Sequence, residues 1–374
     1  MKLINSREKL SIRKQIFPRL LLVSLSKVYG FGVYVRNKLF DWGILRQEQF
    51  NIPVVVVGNI AVGGTGKTPH TEYIVSYLKR NYNIAVLSRG YKRSTKGFVL
   101  ASGNSTESEI GDEPYQILKK FGDSVRIAVC EDRCHGIKEL LKIYPETNLV
   151  ILDDAFQHRY VKPAVAVVLM EYSRPVYSDN LLPLGHLRES YHALNRADMV
   201  IVTKCPDEIK PMDFRIIKNN LNLFPSQKLF FSTYRYGDLV SVFPENSMYI
   251  PYLEWLKKED SILAITGIAN PKPFVKYLRK FAPNVKVMNF PDHHKFTKHD
   301  MEAIENKYKH LPGRRKIIIT TEKDAVRFSG TRSFPEYLKP NSFYLPIKVE
   351  FIPYNDMNFE NELVKDITRQ IKMN

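Results

Sequence analysis

From residue 52 onward, short runs of β-branched and leucine residues alternate with amphipathic stretches. IPVVVVGNI (52–60), NIAVLSRGY (83–91), SVRIAVC (124–130), NLVILDD (148–154), AVAVVLME (164–171) and ADMVIVTK (197–204) read as strands. Between them, residues 68–82, 113–121 and 132–143 carry helical spacing. Strands that are apolar throughout are buried on both faces, so the pattern predicts an α/β fold of parallel βαβ units with helices on both sides. Around 225–260 it weakens into KLFFSTYRYGDLVSVF, two short strand-like pieces about Gly237-Asp238 that predict a hairpin-like connection. A second series follows, with strands at 261–269, 284–290, 315–324 and 342–351 and helices at 273–281, 299–309 and 360–372. The expected organisation is therefore a first α/β domain over 46–225, a β linker over 226–258, and a smaller α/β domain with a C-terminal helix over 259–374.

The first 45 residues differ from the rest. FPRLLLVSLSKVYGFGVYV places Phe17, Leu21, Leu25, Val28, Phe31 and Val35 roughly along one side of a helix. Arg19 and Lys27 interrupt the run, each costing about 2.5–3.5 kcal/mol at a bilayer centre, and no small-residue cleavage site follows. A membrane-spanning segment or a secretory signal therefore fits poorly. An in-plane membrane helix fits better, its alternative being a first helix packed on the domain core.

Composition sharpens this. The 374 residues are 44% hydrophobic and 25% charged, an ordinary globular balance of two-domain size. The net charge is +17, and ten basic against three acidic side chains lie within residues 1–50. Such an excess suits a polyanionic partner, and beside an apolar stripe it suits an anionic lipid surface. Nucleic acid is disfavoured, because no zinc finger, RRM-type aromatic motif or evident helix-turn-helix is present. Three cysteines are too few for a disulfide framework, and Cys130, Cys134 and His135 lack the second pair that a structural zinc site needs.

The strongest chemical signal is AVGGTGKTP, Ala61 to Pro69, placed after a strand and opening a helix. Backbone N–H groups around Ala61, Val62, Gly63, Gly64, Thr65 and Gly66 can turn toward phosphate oxygens, with Lys67 reaching the terminal phosphates and Thr68 offering its hydroxyl to Mg²⁺. Ala61 departs from the usual first glycine. A glycine-rich helix cap is the plainer alternative, and it leaves the Lys-Thr pair unexplained. NLVILDDAFQH adds Asp153 and Asp154 at the end of a hydrophobic strand, where one carboxylate can hold Mg²⁺ while its neighbour orients water or substrate, or where the pair simply caps a junction.

GNIAVGGTGKTP, SRGY, GDEP, LDDAFQH, PLGHLRES, TK, GIANP, PDHHKF and TTEKDAVR occur in this order from Gly58 to Arg327. Together they closely resemble the tetraacyldisaccharide 4′-kinase family of lipid A biosynthesis in Gram-negative bacteria. The resemblance implies phosphoryl transfer from ATP, with Mg²⁺, to the 4′-hydroxyl of an acylated glucosamine disaccharide 1-phosphate at the cytoplasmic face of the inner membrane. It also implies two α/β/α units joined by a short β linker. No obligate protein partner is evident.

By the same resemblance Asp112 in GDEP is the candidate base and His293 in PDHH its partner, although Asp112 read alone equally suits a helix N-cap. Arg188 and Glu189 match a family pair near nucleotide and metal, Arg188 neutralising transferring charge and Glu189 contributing to Mg²⁺. Gln157, Arg89 and Tyr91 are assigned to the substrate, the last two following a strand end where open α/β sheets bind ligands. The rival reading is a membrane-recruited P-loop ATPase of the partitioning type, which lacks GDEP and a second α/β unit and carries a lysine where this chain has Val62.

Overall fold

The computed structural model describes residues 6–373 apart from 247–250, 269, 292, 293, 295 and 332. A helix α1 (Ser6–Asp41) precedes the first strand. The large sheet has nine strands: β1 (Val54–Asn59), β2 (Ile84–Ser88), β3 (Val99–Leu100), β4 (Arg126–Val129), β5 (Leu149–Asp153), β6 (Val165–Glu171), β7 (Met199–Thr203), β8 (Lys228–Tyr236) and, far along the chain, β14 (Ile347–Ile352). Their spatial order is β14-β8-β7-β6-β1-β5-β2-β4-β3, with β1 at the centre. All neighbours are parallel except the two edge pairs, β3 with β4 and β14 with β8.

The four valines of β1 explain the layering. Val54 and Val56 point into one core with Ile137 and Leu140 of α5 (Arg133–Ile143) and Ile217 and Leu221 of α6 (Pro211–Leu221). Val55 and Val57 point into the other, with Ile74, Val75 and Leu78 of α2 (Lys67–Leu78). The short α3 (Glu107–Ile110) leads into α4 (Asp112–Phe121), which packs on that second face. Period-two alternation with both sets apolar is what a sheet covered on both sides requires.

The smaller sheet joins β9 (Val240–Ser241), β10 (Ser261–Thr266), β11 (Asn284–Asn289), β12 (Lys316–Thr321) and β13 (Ser342–Leu345) in the order β11-β10-β12-β13-β9. It packs α7 (Lys272–Leu278) on one face and α8 (Lys298–Lys309) with α9 (Glu322–Ser329) on the other.

Sheet membership does not follow the expected boundaries at 225 and 259. β8 belongs to the large sheet rather than to a separate linker. The apparent strand 342–351 is two strands in two sheets, broken by Pro346, whose missing N–H cannot continue a ladder. β14 therefore returns the chain to the large sheet, and α10 (Phe359–Met373) follows it, burying Phe359, Leu363 and Ile367 against the first unit's core. The units are joined by two passages that meet where the Gly237 N–H donates to the Pro346 carbonyl at 2.9 Å.

α1 lies across the large unit through the Ser26 hydroxyl to the Leu181 carbonyl (2.9 Å) and the Tyr29 hydroxyl to the Arg188 carbonyl (2.8 Å). The stripe read from the sequence faces the other way: Leu21, Leu25, Val28, Phe31 and Val35 are all exposed. Among the described residues no helix is long and apolar enough to cross a membrane.

Candidate active site

β1 ends at the centre of the sheet and the chain turns through Ala61–Gly66 into α2. A Cβ on Gly58 would come within 2.6 Å of the Phe156 Cβ, so glycine is what lets the end of β1 meet the turn after β5. Gly63 and Gly66 take φ of 105° and 91°, the left-handed region that favours glycine. The loop is braced from both sides. The Asn59 amide donates to the Thr65 hydroxyl at 2.6 Å, and the Thr203 hydroxyl donates to the Thr65 carbonyl at 2.8 Å. The Lys204 ammonium donates to the Gly64 carbonyl. Ala61 needs no glycine here, because it bridges Leu187 in antiparallel fashion while the Val62 N–H donates to the His186 carbonyl at 2.8 Å.

That bridge also carries Arg188 into the site. Its Nη1 lies 3.1 and 3.3 Å from the two Asp154 oxygens, and Lys67 Nζ lies 3.7 Å from Asp154 Oδ1. Asp154 itself has φ 49°, a strained conformation for a side chain other than glycine, and the turn aims it toward these two cations. Asp153, one residue earlier, is fully buried and accepts the Thr71 hydroxyl at 2.8 Å through Oδ1. Burial first, then the negative charges of Glu113 and Asp154, push its carboxyl up to about 7.

Glu189 is also buried, and its Oε2 accepts from Asn37 of α1 at 2.8 Å and from Arg196 at 2.9 Å. Two buried carboxylate oxygens, Asp153 Oδ2 and Glu189 Oε1, make no hydrogen bond. Hard oxygen donors left open beside a glycine cradle, with Thr68 and Asp154 adjoining it, are what a Mg²⁺-nucleotide takes, so the residues present fit that group.

Asp112 is the first residue of α4 rather than its cap, which is Gly111. Its Oδ2 pairs with Arg327 Nη2 of α9 at 2.5 Å, and Arg327 Nη1 lies 2.9 Å from the buried Asp324. The base candidate is thus held by the second unit. His293 lies outside the described residues.

Gln157 is held through side chain and backbone: its side-chain amide donates to the Asn59 carbonyl at 2.7 Å, and its backbone carbonyl accepts from Arg36 of α1 at 3.0 Å. Arg89 and Tyr91 sit exposed just beyond β2. The pKa of His158 is lowered to about 4, chiefly by burial and then by the charge of Arg133, with Arg36 and Arg89 adding to it and Asp132 opposing. Cys130 and Cys205 are buried, Cys134 is half-buried, and all three are free thiols.

Sequence reasoning missed Thr71, Asn37, Arg196, Lys204 and Arg327. Thr71 was within reach, lying one helical turn after Lys67 on the same face of α2. Lys204 and Arg327 lie in segments noted only as part of a pattern. Asn37 and Arg196 had no local signal.

The family model described as tetraacyldisaccharide-1-P 4′-kinase matches residues 18–368. The chain belongs to this family. Among its relatives, the tetraacyldisaccharide 4′-kinase of Bacteroides fragilis strain YCH46 is 48% identical over 95% of this chain and 93% of its own. That of Phocaeicola vulgatus is 46% identical over 98% of both chains, and that of Flavobacterium johnsoniae is 41% identical over 96% and 99%. The crystal structure of LpxK from Aquifex aeolicus in complex with ATP superposes with a TM-score of 0.71 at 29% identity, covering 94% of this chain and 98% of that one. The tetraacyldisaccharide 4′-kinase family thus accounts for nearly the whole chain, both α/β units included, and the partitioning-type ATPase is not supported.

Proposed function

We propose that this chain transfers the terminal phosphoryl group of ATP to the 4′-hydroxyl of an acylated glucosamine disaccharide 1-phosphate. The observation that carries the reading is the convergence of Lys67 and Arg188 on Asp154, beside the buried and half-satisfied Asp153, at the carboxyl end of the central strands. Phosphoryl transfer asks for alignment and charge neutralisation more than covalent chemistry. Lys67 and the backbone of Ala61–Gly66 hold the polyphosphate, and Arg188 neutralises charge on the moving group. Thr68 with Asp153, Asp154 or Glu189 would hold Mg²⁺, which would supply further charge neutralisation. Asp112 accepts the proton of the sugar hydroxyl, with His293 as its partner. Arg89, Tyr91 and Gln157 belong to the side on which the disaccharide binds.

Membrane association is part of the same reading. The apolar stripe of α1 is exposed, and the opposite face of that helix contacts Arg188, Gln157 and Glu189. A helix lying in the cytoplasmic face of the inner membrane would hold the site at the level of the lipid headgroups.

The test is transfer of label from γ-labelled ATP into the lipid fraction, with the acylated disaccharide 1-phosphate in detergent micelles. Label at the sugar 4′ position, reduced at least 100-fold in Asp112→Asn and in Asp153→Asn, supports the reading. ATP hydrolysis without lipid labelling refutes it.

A further inference from the structure

The fold gathers a second set of ligating side chains away from the phosphate-binding loop. Asp132, the N-cap of α5, and Cys134 in its first turn meet His158 from the turn after β5. One ligand atom from each lies within 4.8 Å of the others. Read along the chain, Cys134 goes with Cys130 and His135 and lacks a second pair; the fold gives it different partners.

Each of the three has a donor atom to offer. The bonds that Asp132 makes as a cap, from the Cys134 and His135 N–H groups at 2.9 and 3.2 Å, both fall on Oδ1 and leave Oδ2 available. His158 Nε2 lies 3.4 Å from the N–H of Arg133, the residue between Asp132 and Cys134, so this nitrogen is turned toward the space that those two flank. An imidazole nitrogen that accepts there presents a lone pair, the form in which histidine binds a metal. The turn is fixed from behind, where the His158 N–H donates to the Ala155 carbonyl at 2.9 Å. The Arg133 guanidinium is tied to the Cys130 and Glu131 carbonyls at 3.1 and 2.9 Å. Cys134 is a half-buried free thiol facing the negative charges of Asp132 and Glu48, and the Glu48 carboxylate is hydrogen-bonded to it.

We propose that Asp132, Cys134 and His158 form a binding site for a divalent transition ion of the Zn²⁺ class. The donor set selects the ion. Thiolate and imidazole with one carboxylate suit Zn²⁺ and Co²⁺, whereas Mg²⁺ takes oxygen donors. A tetrahedral ion with bonds of about 2.0–2.3 Å keeps its donors about 3.3–3.8 Å apart, so the three need draw together by no more than about 1.5 Å. Binding displaces the thiol proton to solvent and leaves a fourth position for water or for Glu48. The ion would tie the turn after β5 to the start of α5.

The experiment is titration of the full chain with Co²⁺, a spectroscopic substitute for Zn²⁺, in excess Mg²⁺ and with a phosphine reductant. One ion per chain is expected, with a near-ultraviolet thiolate-to-metal charge-transfer band that Zn²⁺ abolishes. Cys134→Ser should remove the band, while Cys130→Ser and Cys205→Ser should keep it. Asp132→Asn and His158→Gln should each raise the Co²⁺ Kd at least ten-fold. Asparagine caps a helix as well as aspartate does, so Asp132→Asn tests the ligand without removing the cap, and circular dichroism checks the fold. A band that survives Cys134→Ser overturns the proposal, as does an affinity that neither Asp132→Asn nor His158→Gln weakens. Unaltered protein that gives no charge-transfer band overturns it outright.

Discussion

If α1 seats the protein on lipid, its exposed face should govern partitioning without governing the fold. Val28 is 71% exposed and Phe31 69%, and both lie on the face away from the anchoring contacts of Ser26 and Tyr29. Full burial of an apolar side chain of this size is worth about 1.5–3 kcal/mol, so immersing the exposed seven-tenths of both contributes roughly 3 kcal/mol together. Replacing both with glutamine, a good helix former, should lower the partition coefficient about 100-fold. The assay is co-sedimentation with phosphatidylethanolamine–phosphatidylglycerol vesicles, with thermal denaturation as the control for folding. The basic flank is left intact, so residual binding of the double variant should disappear at high salt sooner than that of the unaltered chain. Equal co-sedimentation of the two proteins, at equal thermal stability, would refute the placement of this face in lipid.

Other contacts lead to separate expectations. Arg196→Met should destabilise the chain by about 3 kcal/mol because it strips the buried Glu189 of its cation, and adding Glu189→Gln should recover part of that loss in a double-mutant cycle followed by urea denaturation. Arg327→Met should cost about 3 kcal/mol or more, since Asp324 is fully buried, and should lower kcat as Asp112 loses its anchor; an unchanged kcat would separate Asp112 from this pair. His70 is buried and its pKa is lowered to about 4, so the unfolded chain takes up a proton that the folded one refuses. Stability from this group is complete above about pH 6.5 and declines as pH falls toward 4, by roughly 2.5 kcal/mol at pH 4.5, and His70→Gln should flatten that part of a urea-midpoint profile.

Most of the large sheet could be read from the chain, because strands buried on both faces leave a continuous apolar signature and the helices between them leave a periodic one. SFYLPIKVEF has the composition of a single strand, and nothing local says that its halves pair with different partners. The change of sheet is a tertiary event at Pro346, stabilised by the Gly237 N–H of the other passage. The consequence carries to the C-terminus: α10 was expected as a helix and is one, but Phe359, Leu363 and Ile367 complete the core of the first unit because β14 had already returned the chain there. Periodicity specifies which face of a helix is apolar, and is silent about which sheet receives it.

The site divides along the same line. Residues whose proposed roles rest on type and spacing, such as Lys67, Thr68, Asp153 and Asp154, could be assigned because a phosphate and its metal need a cation, a hydroxyl and carboxylates at the ends of adjacent strands. Residues that act by holding another side chain could not, since their partners are remote in sequence. Arg327 lies 215 positions from Asp112, yet its guanidinium spans Asp112 and Asp324 at once. Two carboxylates on one buried guanidinium need good geometry to offset desolvation, and the geometry is supplied by α4 packing against α9, with Lys120 of α4 reaching Glu322 of α9 at 3.5 Å. GDEP and TTEKDAVR are therefore two halves of one contact between the units. The carboxylate proposed to take the sugar proton is positioned by a residue of the unit that carries no phosphate-binding loop, and under that proposal the second unit has a chemical reason to be present.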